Sequence, residues 1–183
     1  MPAPQPRWGW HQLSKQRALR LVDDAGIRRG DLVLDIGAGT GAITAPLVQR
    51  GAKVIAIELH PIRAEELRQR FAHEHVTVVR ADAADLRLPK RPFRVVANPP
   101  FAVSVAILRR LTSPHSRLLR ADIIVPRHTA ERWIYGNPPG AGRWRKEFNC
   151  SFGALLSRSS LTPPPPHDVA VLVIRKVGFR SPG

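Results

Sequence analysis

LVLDIGAGTGA, residues 32–42, decides the fold of this chain. The mostly apolar run Leu32 to Ile36 is followed at once by Gly37, Gly39 and Gly41. A short apolar run ended by turn residues predicts a buried strand. Residues 42–50 then carry a helical pattern that closes at Gly51. One glycine is enough for a tight turn. Three of them let a backbone come close to a ligand. Strand, glycine loop and helix in that order form the ligand-binding corner of a doubly wound α/β sheet.

The alternation extends outward from this corner. Upstream, apolar residues at 18, 19, 21, 22 and 25 mark a helix over 13–25, with Gly26 placed to cap it. Downstream, KVIAIE (53–58), VTVVRAD (76–82), RVVAN (94–98) and ADIIVP (121–126) predict strands, with helices over 62–72 and 102–111. A short helix is expected over 127–135, its face carrying Trp133 and Tyr135, and a last strand over 169–177. Strands alternating with helices argue for a mostly parallel sheet covered on both faces. NPPGAG (137–142) and TPPPP (162–166) read as loops, the second as a rigid connection inside one domain. The expected organisation is an arm over 1–12 rich in Pro, Arg and Trp, one domain over 13–177 and a tail over 178–183.

Three acids end three successive predicted strands: Asp35, Glu58 and Asp82. Gly37, Gly39 and Ala42 satisfy a dinucleotide pattern, and Glu58 stands where a ribose-binding acid belongs. Taken alone, that motif suits NAD. Asp35 pulls away from it, because a carboxylate at the mouth of the first strand repels a pyrophosphate. A ligand with a cationic end and a ribose but no phosphate suits the same place better. S-adenosylmethionine is such a ligand. Asp82 is then positioned to accept a hydrogen bond from an adenine amino group, with Asp85 close enough to take the same role. Each acid also has a plain role as a helix cap or a solvated strand end.

VVANPPF, residues 95–101, places an amide, two prolines and an aromatic where a buried strand should end. Ligands of such sheets bind beyond the carboxyl ends of the strands, where the strand order reverses. If the strands at 32–36 and 94–98 flank that point, the glycine loop and NPPF share one pocket. The residue types then make chemical sense. The amino nitrogen of adenine is a poor nucleophile, because its lone pair is conjugated with the ring. The Asn98 side-chain oxygen and the Pro99 carbonyl can each accept one of its N–H bonds. The prolines fix φ at two positions and hold those acceptors in place. Phe101 offers a flat face to an extruded base.

Twenty-nine Lys and Arg against fourteen Asp and Glu give a net charge of +15, which favours a polyanionic partner. A single cysteine, Cys150, excludes a disulfide framework and a cysteine-based zinc site, and is expected to serve packing. His73-Glu74-His75 lacks further ligands nearby, and no metal is expected. The N-terminal stretch has no apolar core of a secretory signal, and no run is long enough to span a bilayer. A soluble, cytoplasmic monomer is the expectation.

DIGAGTG, the acids after it and NPPF together resemble class I methyltransferases acting on exocyclic amino nitrogens. FRVVANPPF and the proline-rich approach PPPPHDVAVLVIRKV are similar, more narrowly, to the Erm and KsgA-like ribosomal RNA adenine N6-methyltransferases over about residues 11–177. The resemblance implies a Rossmann-like sheet with an antiparallel C-terminal strand, and methyl transfer from S-adenosylmethionine to adenine N6 in 23S rRNA. That modification gives resistance to macrolides, lincosamides and streptogramin B. It implies that Gly37, Ala38, Gly39 and Gly41 line the methionine part of the cofactor. Glu58 and Leu59 hold the ribose, Asp82 and Ala83 meet the cofactor adenine, and Asn98, Pro99, Pro100 and Phe101 hold the target base. Asp35 and Asn98 complete the cofactor pocket. Relatives usually carry a Gln-Asn-Phe element that closes this pocket. Here WGWHQLSK stands in its place, with Trp10, His11, Gln12 and Leu13 only a rough match, of which His11 and Leu13 are expected at the cofactor.

Relatives also usually carry a C-terminal helical domain; none is expected here, so the RNA grip is expected within the catalytic domain. Basic residues interleaved with aromatics suit phosphate contact and base stacking. The candidates are Arg7, Trp8 and Trp10, then Arg127, and then Arg143, Trp144, Arg145 and Lys146. The expected partner is 23S rRNA or a large-subunit precursor. The same chemistry serves adenine in other rRNA or in DNA, or glutamine in a protein. A further reading is a non-catalytic RNA-binding protein on this scaffold.

Overall fold

The computed structural model describes residues 11–138 and 140–179. Its sheet has seven strands: β2 (Leu32–Ile36), β3 (Lys53–Ile57), β4 (Val76–Val79), β5 (Phe93–Ala97), β6 (Leu118–Pro126), β7 (Phe148–Phe152) and β9 (Val169–Lys176). Their spatial order is β4-β3-β2-β5-β6-β9-β7. The first five are parallel, and β9 runs antiparallel to both β6 and β7. Strand order reverses between β2 and β5, which places the glycine loop beside NPPF as expected from the sequence.

One face of the sheet is covered by α1 (Lys15–Ala25), α2 (Thr44–Gln49) and α3 (Pro61–Arg70). Val33, Val54, Val96, Ile124 and Val171 face Ala18, Leu21, Val22 and Leu47 there. The other face is covered by α4 (Ser104–Leu111), α5 (Arg127–Ile134) and the short α6 (Ala141–Trp144). Leu34, Ile36, Val95, Ile123 and Leu172 face Ile107, Leu108, Leu111, Trp133 and Trp144. Residues of alternate parity along each strand supply the two cores, as the two-residue period of a strand requires.

Two buried arginines anchor α1. Arg94 on β5 donates to the carbonyls of Ala25 and Gly26, the latter at 3.0 Å, and to Asp31 at 2.9 Å. Arg120 on β6 donates to the Asp24 carbonyl and to both oxygens of Asp122, each at 2.8 Å. The guanidinium groups satisfy the orphan carbonyls at the C-terminus of α1, where Gly26 adopts φ +63. Burial lowers the pKa of Arg94 and raises that of Asp122, while the partners of each oppose the shift. These polar residues inside strands explain why β6 starts three residues earlier than its apolar pattern indicates.

Three further differences from the sequence reading have local causes. The strand expected over 76–82 ends at Val79, because Asp82 turns the chain by accepting from the Ala84 N–H at 2.8 Å. β7 was hidden in a short segment, FNCSF, whose Phe148, Cys150 and Phe152 alternate as a strand requires. Leu13, expected to open the first helix, instead belongs to β1 (Gln12–Leu13), which pairs with β8 (Leu161–Thr162).

Candidate active site

The glycine loop and NPPF touch. A Cβ built on Gly37 would lie 3.0 Å from Pro100 Cδ and 3.1 Å from the Pro99 Cα, and Gly37 holds φ +76. Only glycine fits both the backbone angle and the approach. Gly41 serves another contact: its Cβ would meet Phe71 at 2.9 Å and Leu67 at 3.1 Å, so this glycine lets α3 pack against the loop.

Asn98 follows β5 and reaches into the junction. Its Nδ2 donates to the His11 carbonyl at 2.7 Å, which fixes the amide because a carbonyl only accepts. Its Oδ1 is buried and has no partner among the described residues. A buried unsatisfied acceptor is costly and rare in native proteins, and this one is free to accept a hydrogen bond. The His11 ring stacks on Phe101, with centroids 5.3 Å apart and planes 24° apart, and its Nδ1 is 2.7 Å from the Pro163 carbonyl. One face of Phe101 is thus covered by His11. Residues 11–13 form a strap that ties NPPF to the proline-rich segment, a link that the sequence did not show.

Asp35 is the penultimate residue of β2 and Glu58 directly follows β3, as expected, whereas Asp82 lies three residues beyond the end of β4. Asp35 is buried and accepts from Thr44 Oγ1 at 2.6 Å. Burial pushes its carboxyl up to about 7, opposed by the bonds from Thr44 and assisted by the charge of Glu58. His11, Leu13, Asp35, Gly37, Ala38 and Asn98 line one small pocket. Glu58 accepts from the Gly39 N–H at 2.9 Å and the His60 N–H at 2.8 Å, and pairs with Arg63 at 3.3 Å. This acid therefore braces the glycine loop as well as closing β3. Leu59 beside it is exposed. Asp82 caps the turn at Ala83–Asp85 with one oxygen. A groove of about 360 Å³ opens there, lined by Ile57, Val79, Asp82, Asp85 and Leu86, within the size range of small-molecule sites. Asp82 fills the plain capping role with that oxygen and also lines the groove.

The RNA candidates are placed unequally. Arg7, Trp8 and Trp10 lie outside the described residues. Arg143 and Lys146 are exposed. Arg145 donates to the carbonyls of Trp133 and Gly136 and lies 5.5 Å from the Trp144 ring, so it joins α6 to the end of α5. Trp144 is only 4% exposed and packs in the core, which corrects the expectation that its ring stacks on a base. Apolar spacing around it was masked by the flanking arginines. Trp133 is in the core as expected, but Tyr135 is 75% exposed at the end of α5 and does not share that face. No helix among the described residues is long and apolar enough to cross a membrane.

Comparison with known proteins agrees with this architecture. The model of a family described as ribosomal RNA adenine dimethylase matches residues 10–175. An rRNA adenine N-6-methyltransferase of Bacillus licheniformis is 30% identical over 173 residues, which cover 92% of this chain and 60% of that protein. A ribosomal RNA small subunit methyltransferase A of Leifsonia xyli subsp. xyli is 32% identical over 181 residues, covering 91% and 64%. The crystal structure of the 23S rRNA methyltransferase ErmE superposes with a TM-score of 0.80 at 23% identity, over 93% of this chain and 71% of that one. A dimethyladenosine transferase from Plasmodium falciparum superposes at 0.76 with 25% identity, over 91% and 63%. The chain spans about 60% of the length of the first two curated relatives that it matches. The fold is that of the class I methyltransferases, and the chain belongs to the ribosomal RNA adenine dimethylase family.

Proposed function

We propose that this chain binds S-adenosylmethionine and methylates the N6 amino group of an adenine in ribosomal RNA, with 23S rRNA as the substrate. The observation that carries the reading is the buried Oδ1 of Asn98, without a partner among the described residues, on a side chain that lines one small pocket with Gly37 and Ala38. The residues present fit the cofactor. Gly37 and Ala38 offer backbone at close range, Asp35 offers a carboxylate to a cationic end, and Glu58 and Asp82 follow the adjoining strands. When bound, the cofactor supplies an activated methyl group on a sulfonium.

The chain's own residues supply position. Asn98 Oδ1 accepts one N–H of the target amine and so orients its nitrogen. The His11 carbonyl keeps the amide from rotating. Pro99 and Pro100 hold the backbone against Gly37, and Phe101, half-buried and stacked under His11, offers the base only the ring area that His11 leaves open. Holding two reactants in line accounts for a large part of such a rate enhancement. No charged base is needed at Asn98, and a carboxylate in its place would pair with the sulfonium.

The likeness to ErmE supports 23S rRNA, and with it resistance to macrolides, lincosamides and streptogramin B. The 32% identity to a small-subunit methyltransferase supports a second reading, 16S rRNA. Labelled S-adenosylmethionine incubated with protein-free 23S rRNA, 16S rRNA and duplex DNA, followed by nucleoside mass spectrometry, separates them. Methylated N6-adenosine in 23S alone is the expected product. Product in 16S or DNA replaces the substrate, and cofactor binding without product on any of them favours the non-catalytic reading.

A further inference from the structure

The carboxyl edge of the sheet divides by strand order. β4, β3 and β2 bring Asp82, Glu58 and Asp35 to one half, and β5 brings NPPF to the middle. β6, β9 and β7 continue the same edge on the other side, away from the cofactor half. β7 lies three strand spacings from β5, about 14 Å.

That side carries an aromatic pair with no assigned role. Phe152 ends β7, and Tyr135 follows α5. Their ring centroids are 6.2 Å apart at 59°. Tyr135 is 75% exposed and Phe152 36%. The Arg127 guanidinium lies 5.6 Å from the Phe152 ring centroid, and Arg127 Nε pairs with Glu131 at 3.0 Å. Arg127, Glu131 and Tyr135 recur every four residues, along one side of the helix. Scattered exposed apolar residues are ordinary, but adjoining open rings beside a guanidinium form a surface for stacking. Because Glu131 pairs with Arg127, this patch presents ring area and little net charge. Flat, uncharged ring area on a chain of net charge +15 suits a nucleobase whose phosphates are held by other residues.

We propose that Tyr135 and Phe152 form a stacking platform for a base of the RNA strand next to the methylated adenine, with Arg127 buttressing Phe152. This rests on the RNA reading above and adds the residues that grip the strand beyond the target. The test uses the full chain and a short 23S or 16S rRNA hairpin that contains the target adenine. Tyr135→Ala weakens hairpin binding roughly 5- to 100-fold, the range for losing one stacked base, and leaves the salt dependence and the cofactor affinity unchanged. Tyr135→Phe restores binding. An abasic nucleotide at one position flanking the target removes the difference between wild type and Tyr135→Ala. Phe152→Ala behaves alike, and the highly exposed Tyr135 guards against a folding defect as the cause. Wild-type affinity in Tyr135→Ala, with wild type itself binding RNA, overturns the platform alone. A wild-type chain that binds no RNA overturns the RNA reading as well. Loss of binding to polyglutamate, with RNA binding intact, overturns the platform in favour of an acidic protein partner.

Discussion

Asn98 and Asp35 line one small pocket with Gly37 and have opposite electrostatic situations. Asn98 presents a neutral acceptor whose other end is tied down. Asp35 is a carboxylate that pays for burial, so its pKa rises from 3.8 to about 7. The sign of the consequence follows from linkage. In the folded chain the group keeps its proton up to about 7, whereas the unfolded chain loses it near 3.8. Its contribution to stability is therefore present at low pH and lost as pH rises through about 7. A cationic ligand prefers the ionised form, so affinity for S-adenosylmethionine should rise as pH rises through about 7. Calorimetry across that range checks this. Asp35→Asn should flatten the profile, and a profile equally steep in that variant would place the titration elsewhere. Both residues were legible in the sequence, because an acid and an amide at the ends of apolar strands are conspicuous. The tether from His11 was not legible, because a main-chain carbonyl leaves no trace in residue type.

At the scale of elements, the strap at residues 11–13 and the α6 segment differ most from the sequence reading. β2 runs over the expected Leu32–Ile36, since nothing polar interrupts it except Asp35. The strap pairs across about 150 residues of sequence, and no local pattern reports such a partner. In α6, RWRK reads as a basic RNA-binding run, yet a four-residue helix turns Trp144 inward while Arg143 and Lys146 stay outside. Trp144→Ala should therefore act on the fold, costing about 3–5 kcal/mol as a large-to-small core substitution. Chemical denaturation measures the loss. Unchanged stability with weakened RNA binding would return Trp144 to the interface.

The whole molecule combines a linear sheet order with a large positive charge. Sheet order places Asp82, Glu58 and Asp35 on one half of the carboxyl edge, NPPF at the middle and β6, β9 and β7 beyond it, and the parallel part of this plan was readable from the alternation of strands and helices. The distribution of charge was readable only in part, because several arginines are consumed by the fold, among them Arg94, Arg120 and Arg145. Arg143 and Lys146 remain exposed. Replacing both by Ala should lower the slope of log affinity against log salt by roughly 0.7–0.9 per lost phosphate contact. An unchanged slope would remove them from the RNA footprint. The central claim is that glycine loop and NPPF form one site in which Asn98 positions an adenine amine for methylation. Single-turnover methyl transfer by Asn98→Ala on substrate rRNA, with cofactor affinity measured on the same protein, tests it most directly. The account predicts a rate lower by roughly 100- to 1,000-fold, the scale for deleting one preorganised hydrogen-bonding group, with cofactor affinity near wild type. A wild-type rate in that variant would contradict it.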